Sequence, residues 1–154
     1  MDAEPQIIQP YFDQYKSYEQ DLGNIGSRYA TTNNFYYSII SALMGIVTII
    51  KSPDANHLQL YLQGAISLFA ILLCMSWWKS IISFRNQFSI KFDVLRELEK
   101  AAGIFPVYAK EKEIFLKKDQ RKGLIKHEES IPLILILPFA AIIVGIWMKW
   151  NNIM

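Results

Sequence analysis

One cysteine, Cys74, stands among 154 residues, so no disulfide can close within the chain, and nothing fixes a redox compartment. In an apolar run a lone cysteine reads as a small packing residue rather than a reactive thiol. Histidine is almost as scarce, with two residues, His57 and His127. His127-Glu128-Glu129 lacks the second histidine of a zinc-binding helix motif. No glycine-rich phosphate loop occurs among the seven glycines. Ser76-Trp77-Trp78-Lys79 matches S-x-x-K, but no K-T-G or S-D-N triplet accompanies it. These absences predict a protein that is not an enzyme, with no cofactor and no metal.

Charge is thin as well. Charged residues make up 19% of the chain, below the usual quarter. They vanish from three stretches, 35–50, 58–78 and 131–148, which are 16, 21 and 18 residues long. A membrane span takes about 20 apolar residues, with a range of roughly 17–25. The second stretch meets that outright and the third narrowly. The first rises about 24 Å as a helix, short of the roughly 30 Å hydrocarbon core. Its flanks Asn33, Asn34 and Lys51 can reach the interface. The spacing therefore predicts an all-α membrane protein with three transmembrane helices. Span interiors without Asp, Glu, Lys, Arg or His argue against a pump or a proton relay.

Basic residues set the orientation. Of the sixteen Lys and Arg, all but Lys51 and Lys149 precede residue 35 or lie in 79–130. With three spans those segments share a side, so the N-terminus is expected in the cytoplasm and the C-terminus outside. That places His57 and His127 on opposite sides, where they cannot share a metal. Tyr36, Tyr37, Trp77 and Trp78 mark the inner boundary; Tyr61, Trp147 and Trp150 mark the outer one. The start MDAEPQIIQP has two acids and no basic residue, so no cleavable signal peptide is expected. The net charge of +2 and the lack of a recognition module argue against nucleic acid.

A single domain over 1–154 is expected: a flexible 1–10, an arm of helix 1 over 11–34, spans at 35–50, 58–78 and 131–150, and a cytoplasmic section over 79–130. Helix 1 is predicted to open at Pro10. Tyr11, Tyr15, Tyr18, Leu22, Ile25 and Tyr29 recur at alternating 4 and 3, continued by Tyr36, Ile39, Leu43, Ile46 and Ile50. A polar stripe runs beside them: Asn24, Ser27, Thr31, Asn34, Ser38, Ser41, Gly45, Thr48 and Ser52. Helix 2 is predicted to continue past Trp78 with Ile81, Phe84, Phe88, Phe92, Leu95 and Leu98 on one face, and to stop at Gly103 as its C′ residue. The two arms should pack antiparallel, aided by an acidic first arm and a basic second one. Residues 107–123 read as a short amphipathic helix with Val107, Ile114 and Phe115 inward. The third span should open near His127–Ser130, with Pro132 in its first turn and a kink at Pro138.

In lipid, helices associate through small residues and interhelical hydrogen bonds. Ser38, Ser41, Gly45 and Thr48 supply one such face, and Gln59, Gln63 and Ser67 of helix 2, continued by Cys74, supply another. A three-helix monomer can use one internally; the other is left for a neighbouring subunit or for water. Both rows are therefore candidate oligomerisation or pore faces. Tyr15, Tyr18, Leu22, Ile25, Phe88, Phe92 and Leu95 form a candidate cytoplasmic packing or sensing surface, where a protein trigger could act. Lys117, Lys118, Arg121, Lys122 and Lys126 enforce orientation and can meet lipid head groups.

The segment SFRNQFSIKFDVLRELEKAAGIFPVYAKEKE is the most distinctive. Through Arg85, Lys91, Phe92, Val94, Glu97, Leu98 and Glu99, then Pro106, Tyr108 and Glu111, it resembles the RipA-like family of small octameric bacterial integral membrane proteins. That resemblance implies a homo-oligomeric ring with a long cytoplasmic helical hairpin. It also fits a bacterial inner-membrane effector that assembles and permeabilises the membrane in defence against phage. The other reading that stays open is a constitutive membrane scaffold or modulator with no conductance of its own.

Overall fold

The computed structural model describes residues 5–50, 57–103, 107–110, 113 and 121–151. Three long helices account for nearly all of them: α1, Pro5–Ile50; α2, His57–Ala102; and α3, Arg121–Asn151. Each contains a stretch long and apolar enough to cross a membrane. The protein is thus an all-α membrane protein, as composition and hydropathy predict.

The chain forms two compact units. One comprises Met1–Ala30 with Ile82–Lys126, the other Thr31–Ile81 with His127–Met154. The second unit holds the apolar stretches of all three helices. There α2 is the central helix: 28% of its most apolar window is buried, against 11% for α1 and for α3. Its buried line is Leu60, Gln63, Ser67, Ala70, Cys74, Trp77 and Ile81, a strict alternation of 3 and 4 that holds one face toward its neighbours. The middle of that line is small or polar. The large side chains Leu68, Phe69 and Leu72 point outward, the arrangement expected where the surrounding solvent is hydrocarbon.

The seam of α1 departs from the strict 3.5-residue repeat. Within the second unit Ile40 and Val47 are buried, whereas Ile39 is half-buried and Ile46 is 44% exposed. A straight helix of 3.6 residues per turn drifts about 20° per heptad against such a repeat. After Tyr36 the inward position therefore moves one residue on, from Ile39 to Ile40 and from Ile46 to Val47.

In the first unit the two arms run antiparallel. Tyr29 meets Phe84 and Phe88 edge-on at centroid distances of 5.5 and 6.3 Å. Two turns toward the N-terminus, Asp21 pairs with Lys91, whose ammonium lies 4.4 Å above the Tyr18 ring. Among the described residues of this unit, Ile25 and Leu95 are the buried apolar ones, and Leu22, Phe88 and Phe92 are half-buried.

Helix ends correct two expectations. The first helical residue of α1 is Pro5, not Pro10, since a proline at that position loses no hydrogen bond. α3 starts at Arg121 while its candidate span is Glu128–Asn151, so the span opens where the sequence places it, but Pro132 and Pro138 both lie inside the helix rather than Pro132 in its first turn. Each deprives one carbonyl of its helical partner, a defect that neighbouring helices and local adjustment make tolerable in a span. Pro132 is fully buried. α2 ends where the sequence places its stop: Lys100 occupies the last turn and Gly103 takes the left-handed conformation at φ 62°.

The return segment is helical at 107–110. Its inward residue is Tyr108, not Val107, which is 51% exposed. Tyr108 sits between Tyr15 and Phe92, at 6.3 and 5.7 Å between ring centroids. Ile114, Phe115, Lys117 and Lys118 lie outside the described residues.

Candidate assembly site

Ser38, Ser41, Gly45 and Thr48 recur at helical spacing, so one face of α1 carries all four. In the second unit that face looks outward. Ser38, Ser41 and Thr48 are exposed and Gly45 is half-buried; a Cβ added at Gly45 would meet nothing within 4 Å. The stripe is thus a shallow groove open to whatever surrounds the chain. Two of its hydroxyls are already satisfied. Ser38 donates to the Asn34 carbonyl at 2.8 Å and Thr48 to the Gly45 carbonyl at 2.7 Å. Such back-bonding lets a polar residue face hydrocarbon at little cost. These two side chains therefore do not by themselves require water.

The polar row of α2 is spent differently. Gln59 is half-buried, while Gln63 and Ser67 are buried within the single chain. Gly64, one residue beyond Gln63, is approached by the Ile146 Cδ1 of α3, which would stand 3.9 Å from an added Cβ. Of the two rows, then, α2 uses its own inside the unit and α1 leaves its own outside.

Below the α1 stripe an aromatic cluster fixes the level of α1 against α2. Trp77 is 1% exposed, and its indole N–H donates to Asn33 Oδ1 at 2.8 Å. Tyr36 stacks on the indole at 5.8 Å with planes 10° apart, and Tyr37 meets its edge at 4.6 Å. The Tyr36 hydroxyl and Ser76 Oγ lie 3.0 Å apart. A buried indole needs such an acceptor, and Asn33 provides it. At the far end of the same unit Trp150 packs edge-on against His57 and Tyr61, at 5.4 and 5.6 Å. Sequence reading placed Tyr36, Tyr37 and Trp77 at one membrane boundary and Tyr61 and Trp150 at the other, but gave no signal for the roles of Asn33 and Ser76.

In the first unit, of the candidate packing residues, Ile25 and Leu95 are buried and Tyr15, Tyr18, Leu22, Phe88 and Phe92 are half-buried. Burial pushes the Tyr15 hydroxyl above its ordinary 10.0, reinforced by Tyr108, Glu99 and Glu19. An open polar groove of about 390 Å³ lies beside them, lined by Ser17, Tyr18, Gln20, Asp21, Asn24 and Lys91. The least expected residue is Glu99, which is 1% exposed. One carboxylate oxygen accepts the Tyr108 backbone N–H at 2.9 Å, binding the return segment to the end of α2. Its other oxygen has no hydrogen-bond partner among the described residues. One turn earlier Arg96 reaches Asp93 at 2.9 Å, and its Nε is likewise buried without a partner. Arg121, Lys122 and Lys126 fall in the first two turns of α3.

A family model described as "Octameric membrane protein family (8xMP)" matches residues 12–148. No curated protein matches the chain, and no solved structure does.

Proposed function

Since the chain belongs to the octameric membrane protein family, we propose that it is a non-enzymatic bacterial inner-membrane protein whose copies close into a ring through the Ser38–Ser41–Gly45–Thr48 face of α1. In this reading the N-terminus is cytoplasmic, the assembled ring permeabilises the membrane, and a partner at the arms triggers it, as an effector in defence against phage. The observation that carries it is the openness of that face. It is a groove of small residues at the surface of a chain whose other polar row is already used inside. In lipid such a groove gains from a helix that packs into it, since small residues allow close backbone approach.

One observation favours the scaffold reading instead. The hydroxyls of Ser38 and Thr48 return to their own backbone, so this face needs protein or lipid but not water. A ring built on it can be a closed scaffold with no conductance.

Gly45→Leu tests both. Nothing lies within 4 Å of a Cβ added there, so the larger side chain starts into open space. It should disperse the octamer in native mass spectrometry. Membrane potential, followed by a voltage-sensitive dye with and without phage challenge, then separates the readings. Depolarisation that needs the challenge and is lost in Gly45→Leu supports the triggered pore. A steady potential with the protein in the membrane supports the scaffold. An octamer of unchanged mass in Gly45→Leu removes the assembly assignment.

A further inference from the structure

A closed ring of identical chains cannot use one self-complementary patch. Each copy must present two different faces, one to each neighbour. The α1 groove is one. The second must also be open, and it must lie at the same depth, because rotation about an axis along the membrane normal leaves depth unchanged.

One face of α3 meets both conditions. Ala141 and Gly145, four residues apart, are exposed, and a Cβ added at Gly145 would meet nothing within 4 Å. This is the small-xxx-small pattern that allows two spans to approach closely, and Ser41 and Gly45 repeat it on α1. The outward face of α2 does not. There Leu68, Phe69 and Leu72 are exposed, and among the described residues of its span no two exposed small residues stand four apart.

The depths agree. α2 runs antiparallel to both other spans and serves as a ruler. The Tyr36–Ser76 and Asn33–Trp77 contacts set Gly45 level with about residue 67 of α2. The contacts of Gly64 with Ile146 and of Tyr61 with Trp150 set Gly145 level with about residue 65. The separation is about 3 Å, less than one helical turn. α1 and α3 also point the same way across the membrane, and each groove is flanked by large outward side chains: Ile46 and Ile49 on α1, Leu137, Val144 and Met148 on α3. Such ridges can enter the opposite groove.

We propose that the ring closes by parallel packing of α1 of one copy against α3 of the next, Ser41 and Gly45 meeting the neighbouring copy's Ala141 and Gly145. This rests on the α1 groove being the assembly face and adds what fills it. The occupant is a second copy because the chain belongs to an octameric family and each face is the other's match in pattern, direction and depth.

Cysteine cross-linking of the intact octamer tests the pairing, in a Cys74→Ala background that removes the native thiol. Ser41→Cys combined with Ala141→Cys should give, on mild oxidation, a ladder of covalent species reaching eight copies, whereas each single variant should stay monomeric on a denaturing gel. Dimers from Ser41→Cys alone would mean that the groove packs on itself, overturning the pairing. So would the absence of a ladder from a double variant that native mass spectrometry finds octameric. Gly145→Leu gives a second reading: dispersal of the octamer is expected, and retention overturns the assignment to α3. If Gly45→Leu disperses the ring but no ladder forms, the α1 face stands and only its partner is wrong. If Gly45→Leu leaves the ring whole, the assembly face itself has failed.

Discussion

Replacing Glu99 separates the work of an acceptor from the work of a charge. One of its oxygens holds the Tyr108 N–H at 2.9 Å, the other has no hydrogen-bond partner among the described residues, and the side chain is 1% exposed. Glu99→Gln keeps an acceptor for the amide and replaces the acid by a neutral group of the same shape. The hydrogen bond loses its charge assistance, worth about 1 kcal/mol, and the relief of burying a neutral group offsets it. The net change should stay within about 1 kcal/mol. Glu99→Leu removes the acceptor and strands a backbone N–H, at about 1–3 kcal/mol. For about 2 kcal/mol the opening equilibrium of the return segment shifts roughly thirtyfold. Hydrogen exchange of the peptide containing residues 107–110, on the full-length protein in detergent, reads this directly. In Glu99→Leu the Tyr108 amide should exchange roughly thirtyfold faster, and in Glu99→Gln less than about tenfold faster. Unchanged exchange in Glu99→Leu would refute the idea that the carboxylate holds this segment. Equal acceleration in both variants would show that the charge, not the acceptor, is what matters.

Trp77→Phe should cost about 1 kcal/mol, because it frees the Asn33 carbonyl oxygen of its donor, and Trp77→Ala about 3–5 kcal/mol; thermal unfolding in detergent checks the order. Lys91→Met keeps the aliphatic stem but loses both the Asp21 pair and the Tyr18 contact. A loss of about 1 kcal/mol is expected at low salt, shrinking as salt is added; a salt-independent loss would point to packing instead. Tyr15 lies in the arm of α1, ahead of its apolar stretch, and its folded pKa is raised above 10.0. The unfolded chain therefore loses that proton first, so its contribution is fully present below pH 10 and is lost as pH rises through the folded value. Stability of Tyr15→Phe should fall less steeply above pH 10 than that of the unsubstituted protein, by denaturant unfolding at stepped pH.

Much of this architecture is legible in the sequence because lipid imposes simple demands. Three uncharged stretches become three helices, since a span must satisfy its own backbone. The end of α2 at Gly103 is equally plain, because few residues other than glycine enter the left-handed region readily. What escaped is finer than a period. Ile39 and Ile40, or Ile46 and Val47, are adjacent and equally apolar, so composition cannot say which of each pair turns inward. The choice follows from cumulative helix twist. The inward role of Tyr108 was hidden for another reason: its partners Tyr15 and Phe92 lie far away in sequence. At the proposed assembly site, Ser38, Ser41, Gly45 and Thr48 declared themselves by spacing. Ala141 and Gly145 did not, because two small residues in a long apolar run acquire meaning only once the structure leaves them uncovered.

The Trp77 cluster has a mechanical consequence. Three contacts, from Asn33, Tyr36 and Tyr37, converge on one indole, and the Tyr36–Ser76 pair adds a fourth between the same helices. Sliding α1 along α2 by even one turn, about 5.4 Å, would break all of them together. Piston motion between these two spans is therefore locked, whereas a joint tilt or rotation of the pair leaves every contact intact. If the assembled protein changes state, the two spans must keep their level against each other, and the aromatic cluster is the rivet that holds it.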